Sequence, residues 1–196
     1  TDGPEWTFKD LKIKSLCKAK ILKNLNLKAG DSLTVIIEDP KEFILYWIAS
    51  NFLGVIFVAL NTAVKGKGLL HQINTSKSKH VIVDNLFFDE VNDLKNNNKL
   101  DVKILNCSEL KNKEIINENE VIFGKLSDNV CSMFTSGTSG PSKGVMMPNA
   151  HCVLFAIGTI ENYDLKHDHV FYISLPLFHA NGLFMQLLAC IITGAK

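Results

Sequence analysis

The chain has 196 residues, 46% of them hydrophobic, with 21 basic and 20 acidic side chains and a net charge of +1. That size and apolar content suit a domain with a true core and exclude a disordered chain. Balanced charge excludes the basic excess of a nucleic-acid-binding surface, and because every basic residue is a lysine there is no guanidinium for bidentate phosphate recognition.

Phe8, Leu11, Leu16, Ile21, Leu22 and Leu25 recur at helical spacing among lysines and predict a first helix within 7–27. Thr7, with Asp10 three residues on, supplies its cap. "KAGD" (28–31) reads as a turn, and the apolar run "SLTVIIE" (32–38) as a strand covered on both faces. Asp39 and Pro40 open a second helix, 40–53, followed by a strand over 55–59. Residues 43–60, "FILYWIASNFLGVIFVAL", are 18 uncharged residues, the length of a membrane span. Gly54 in their middle, followed by β-branched and aromatic "VIFV", favours a buried helix and then a buried strand. No integral membrane segment is therefore expected, and peripheral contact with a membrane surface stays open.

A helix over 68–77, a strand over 80–84, a helix over 86–95 and a strand over 101–106 follow. The polar "KNKEIINENE" (111–120) reads as a linker between a first portion, roughly 1–125, and a second, roughly 126–196. The second holds a strand at 129–136, a helix at 149–162, a strand at 170–174 and a helix at 181–192. Alternating strands and helices predict an α/β fold, a parallel sheet covered by helices on both faces with right-handed crossovers. The five cysteines (17, 107, 131, 152 and 190) form no C-x-x-C pair and are odd in number, as expected of reduced, inert thiols in a cytoplasmic protein. His167-Asp168-His169 has no further ligand near it in sequence and reads as a solvated loop, so no metal-ligating set is expected.

The segment "TSGTSGPSKG" (135–144) follows a buried strand, where ligands sit in parallel sheets. Gly137, Gly140 and Gly144 free the backbone for positive φ and close approach to a ligand. Successive N–H groups there can form a concave nest for an anion. Thr135, Ser136, Thr138, Ser139 and Ser142 add short hydroxyl donors, and Lys143 adds a compact positive charge suited to phosphate oxygens. A Walker loop is excluded, because Ser142 stands where its second glycine belongs and Gly144 where its Ser or Thr belongs. A nucleophile elbow is excluded by Pro141, which takes the place of its last glycine.

"FTSGTSGPSKGV" (134–145) resembles the phosphate-binding signature of the adenylate-forming superfamily, which includes acyl-CoA synthetases, luciferases and peptide-synthetase adenylation domains. The usual form is an aromatic residue followed by T-S-G-T-T-G-x-P-K-G. Ser139 replaces a threonine here, and Ser142 stands where proline is usual. "LPLFHANG" (175–182) is similar to the P-L-F-H-x-x-G segment of fatty-acyl and related CoA ligases. By that resemblance His179 is a catalytic-site residue beside the acyl pocket; the plainer reading is a helix cap shared with Asn181.

The resemblance implies ATP, Mg2+ and coenzyme A as cofactors and a small carboxylic acid as substrate. The acid, of fatty-acyl or carnitine-related type, would become an acyl-adenylate and then a thioester. Phosphate contacts would fall on Thr135, Ser136, Gly137, Thr138, Ser139, Gly140, Lys143 and Gly144. The family's later elements, a Y-G-x-T-E segment, a ribose-gripping aspartate and a C-terminal domain with its catalytic lysine, are not among these residues. The chain is therefore expected to be part of the large N-terminal domain, inactive alone. The competing readings are a nucleotide- or acyl-binding module without catalysis, and adenylation of another carboxylate without CoA.

Overall fold

The computed structural model describes residues 5–98, 100–135 and 140–196. Among these residues six strands form one sheet: β1 (Ser32–Ile36), β2 (Ile56–Ala59), β3 (His80–Val83), β4 (Lys103–Asn106), β5 (Asn129–Phe134) and β6 (Gly144–Pro148). Their order across the sheet is β4-β3-β1-β2-β5-β6. The first five run parallel and β6 returns antiparallel to β5. The helices are α1 (Phe8–Asn24), α2 (Pro40–Phe52), α3 (Gly66–Ser76), α4 (Asn85–Asn98) and α5 (Asn149–Tyr163). A last helical segment is π-wound over Asn181–Leu188 and continues as α6 (Ala189–Thr193).

The helix starts follow from local chemistry. At α1 the Thr7 hydroxyl accepts from the Asp10 N–H at 3.1 Å, and the Asp10 carboxylate accepts from the Thr7 N–H at 2.9 Å. At α2 the Asp39 carboxylate accepts from the Lys41 N–H at 2.8 Å, and Pro40 takes the first position, where an N–H would be unpaired anyway. Strand residues alternate between two cores, as a period of two requires. Leu33 and Val35 of β1 and Phe57 and Ala59 of β2 join Leu16, Phe43, Tyr46 and Trp47 of α1 and α2, with Leu183 and Phe184, on one face. Ile36, Val58, Val81 and Val83 join Leu69, Ile73 and Val91 of α3 and α4 on the other. Each such large side chain contributes about 1.5–3 kcal/mol by burial. The parallel sheet with helices on both faces is thus as the sequence implies.

Residues 43–60 divide as expected: α2 ends at Phe52, Gly54 turns the chain at φ +64°, and β2 starts at Ile56. Among the described residues no helix is long and apolar enough to cross a membrane. The stretch 111–120 lies along α1. Ile116 is buried and its N–H reaches the Leu16 carbonyl at 3.4 Å, while Glu118 and Glu120 pair with Lys12 and Lys23.

Two strand readings are corrected. β6 gives little sequence signal, because Val145 and Met146 are 45% and 43% exposed and the strand is bounded by glycine and proline. Residues 170–174 do not join the sheet. Val170 and Tyr172 are 77% and 83% exposed, while Phe171 packs edge-on against Tyr163 and Ile173 against the main core. The backbone there pairs with Lys196, whose N–H reaches the His169 carbonyl at 2.9 Å and whose carbonyl accepts from the Phe171 N–H at 2.8 Å.

Cys107, Cys131, Cys152 and Cys190 are buried, and Cys17 is partly exposed. Burial pushes the Cys107 thiol up to about 12, with the Glu42 carboxylate adding to it, and the Cys152 thiol up to about 12. Burial also raises Cys131 and Cys190. A thiol reagent applied near neutral pH should modify Cys17 first and the other four only after denaturant. Fast modification of Cys131 or Cys152 in the native chain, read by mass spectrometry, would contradict this packing.

Candidate functional site

β5 lies between β2 and β6, and its carboxyl end delivers Thr135 to the edge of the sheet. There the chain is closed by a reciprocal pair. The Thr135 N–H donates to the Lys143 carbonyl at 3.0 Å, and the Lys143 N–H donates to the Thr135 hydroxyl at 3.1 Å. The glycine-rich segment is thus the loop of an antiparallel hairpin, with Phe134 facing Gly144 at its last rung. Gly140 has φ +146°, a region that favours glycine. Gly144 does not have the positive φ expected of it. It is a strand residue, and a Cβ there would stand 3.1 Å from the Ser132 hydroxyl and 3.5 Å from the Phe134 ring. Lys143 is exposed. Ser136, Gly137, Thr138 and Ser139, also singled out by sequence, lie outside the described residues.

Helix α3 braces the returning limb of the loop. His71 Nε2 lies 2.8 Å from the Ser142 carbonyl, and as N–H it donates to it. The Gln72 amide donates to the Ser142 hydroxyl at 3.1 Å. Gln72 is only 5% exposed, and its Oε1 is buried without a partner. Sequence reasoning missed this brace. Its signal was a carboxamide on the face of α3 that also buries Leu69, Ile73 and Ser76.

The second motif folds as a tight turn. The His179 N–H bonds the Pro176 carbonyl at 3.1 Å, and the His179 carbonyl accepts from the Leu183 N–H at 3.0 Å. The His179 ring leans on Phe178 with centroids 4.7 Å apart. No side chain caps the π-wound segment, so the helix-cap reading of His179 and Asn181 has no bond behind it. Gly182 is required by packing: a Cβ there would sit 2.4 Å from the Pro176 carbonyl oxygen and 2.6 Å from that of Leu175.

Both motifs meet in one cavity of about 420 Å³. Thr135, Gly140 and Ser142 of the loop line it together with Asn61, Gln72, Phe134, Phe178 and His179. None of its lining residues is acidic. Phe178 also lines a mostly apolar cleft of about 340 Å³ formed with Ile37, Pro40, Phe43, Ile44 and Leu177, whose lining also includes Glu38 and Thr62. Among the described residues no three His, Cys, Asp or Glu side chains are grouped to hold a metal.

The AMP-binding enzyme family matches residues 1–196. The chain belongs to that family. It is 29% identical to the 2-succinylbenzoate–CoA ligase of Bacillus licheniformis over 83% of the chain and 33% of that protein. It is 26% identical to the 4-coumarate–CoA ligase of Vanilla planifolia over 97% of the chain and 37% of that protein. The chain thus spans about a third of these curated relatives. Its fold matches o-succinylbenzoate CoA synthetase of Bacillus subtilis, solved in complex with an acyl-adenylate intermediate, at a TM-score of 0.85. The identity is 26%, covering 99% of the chain and 49% of that structure. ATP-bound MatB from Rhodopseudomonas palustris shares the fold at TM-score 0.85 and 21% identity, over 98% of the chain and 39% of that structure.

Gly182→Ala should cost about 1–3 kcal/mol of stability, because the added methyl meets two backbone carbonyls rather than a yielding side chain. Urea denaturation reads this directly. An unchanged midpoint would show that the 175–182 turn does not need its glycine.

Proposed function

We propose that this chain carries the phosphate grip and part of the acyl site of an ATP-dependent, AMP-forming acid–CoA ligase. The observation that carries the reading is the convergence of Thr135, Gly140 and Ser142 of the loop with His179 on one cavity whose described lining has no acidic residue, beside a mostly apolar cleft. A triphosphate needs donors and positive charge, and a carboxylate with an apolar body needs a greasy wall next to them. In this reading a carboxylate oxygen attacks the α-phosphorus of ATP and the bond to pyrophosphate breaks. The thiol of coenzyme A then displaces AMP to give the thioester.

Work of this kind is done by positioning and charge neutralisation. Loop N–H groups around Gly140 and the Thr135 neck would orient the departing pyrophosphate, and Lys143 would neutralise part of its charge. His179 would stand between phosphate grip and acyl cleft. The described side chains offer no cage for magnesium. The described residues do not fit an all-protein metal site. A fatty or otherwise apolar acid is the finer reading, supported by Phe43, Ile44, Leu177 and Phe178 in the cleft. Because the relatives extend well beyond the matched region, turnover is assigned to the complete gene product.

The test is hydroxamate trapping of the activated acid, run on the complete gene product with ATP and a panel of carboxylic acids. Lys143→Ala should lower kcat/KM for ATP by about 100-fold, with a much smaller effect on acid binding. Formation of hydroxamate without ATP, or unaltered ATP dependence in the variant, would overturn the assignment.

A further inference from the structure

We propose that Ser142 is an additional phosphate donor of this loop, aimed into the cavity by the buried carboxamide of Gln72; this rests on the nucleotide reading above. Two side chains from one turn of α3 hold both oxygens of Ser142. His71 binds its carbonyl at 2.8 Å and Gln72 donates to its hydroxyl at 3.1 Å. A hydroxyl has one proton to give and lone pairs to receive with. Here Gln72 takes a lone pair and, among the described residues, no acceptor takes the proton, which leaves it for a ligand. Ser142 and Gln72 both line the cavity that Thr135, Gly140 and His179 line.

The orientation of the carboxamide supports a ligand-directed role. Gln72 is 5% exposed; its amide N–H is met by the Ser142 hydroxyl, while its Oε1 is buried without a partner among the described residues. The reversed amide would accept the Ser142 proton and bury an unmet NH2 group instead. As the amide lies in the structure, the hydroxyl proton is available and polarised. Within these 196 residues, which include no arginine, lysine, N–H and hydroxyl donors are the groups that can meet phosphate oxygens. The signature that this loop resembles usually has proline at the position of Ser142, and proline offers neither an N–H nor an O–H. The substitution therefore gives this loop two donors, and the bonds from α3 supply the fixity that a proline ring would have given.

The experiment is calorimetric titration of the complete gene product, unaltered and as Ser142→Ala, Ser142→Thr and Gln72→Met, with ATP, inorganic tripolyphosphate and AMP. Loss of one hydrogen bond to a charged oxygen corresponds to about 10-fold in Kd. Ser142→Ala should weaken ATP and tripolyphosphate by that factor and leave AMP unchanged. Ser142→Thr should keep the unaltered affinity, and Gln72→Met should move in the same direction as Ser142→Ala. Equal weakening of AMP, or unchanged ATP affinity in Ser142→Ala, would overturn the donor role. A Gln72→Met variant with unaltered ATP affinity would overturn the aiming role. If the unaltered protein binds neither ATP nor tripolyphosphate, the nucleotide reading fails and this inference fails with it.

Discussion

The site depends on how the ends of the 135–143 loop are fixed. Ordering a backbone residue costs about 1–2 kcal/mol, so a glycine-rich loop cannot hold a shape by its own composition. The reciprocal Thr135 and Lys143 bonds close its neck, and the β5–β6 rung at Phe134 and Gly144 sits directly beneath. β5 is in turn laddered to β2 through Phe57, Val58 and Ala59, the first and last of which lie in the core shared with α1 and α2. A ligand held by the loop would thus be held by the sheet. The cavity opens at the carboxyl edge because β5 runs parallel to β1 and β2 and carries its last residue there.

Much of this was legible in the sequence, for reasons that can be named. The α1 start was written in Thr7 and Asp10, which bond each other's backbone, and the α2 start in Asp39 and Pro40. Continuous apolar runs marked β1, β2 and β3 because both faces of the sheet are covered. β6 was not legible, since a strand with two exposed apolar residues between Gly144 and Pro148 looks like loop. At 170–174 the β-branched and aromatic residues signal a strand, and the backbone pairing among the described residues is the one that Lys196 makes with His169 and Phe171.

Within the site, the glycine and hydroxyl content of the loop was readable, but not the reason for each glycine. Gly144 is fixed by the Phe134 ring rather than by a left-handed backbone, and Gly182 by two carbonyls folded against it. Both are tertiary facts without a local signature. The same holds for the α3 brace, in which Gln72 and Ser142 are 70 residues apart. Only the presence of a carboxamide on a buried helical face hinted that something polar would come to meet it.

The juxtaposition of the two chambers has a physical logic. Activating a carboxylate requires an anion to approach another anion, so donors must crowd one side of the reacting centre while water is excluded from the other. In the proposed ligase, the hydroxyl, amide and backbone donors of the first cavity would meet the first condition, and a cleft walled mostly by Phe43, Ile44, Leu177 and Phe178 would meet the second. Phe178 belongs to both chambers, and His179 follows it in a turn whose carbonyls leave room only for a glycine at 182. The boundary between polar and apolar space is therefore set by backbone packing rather than by a mobile side chain. That is the rigidity a site needs when a small misplacement of either reactant would be felt in the rate.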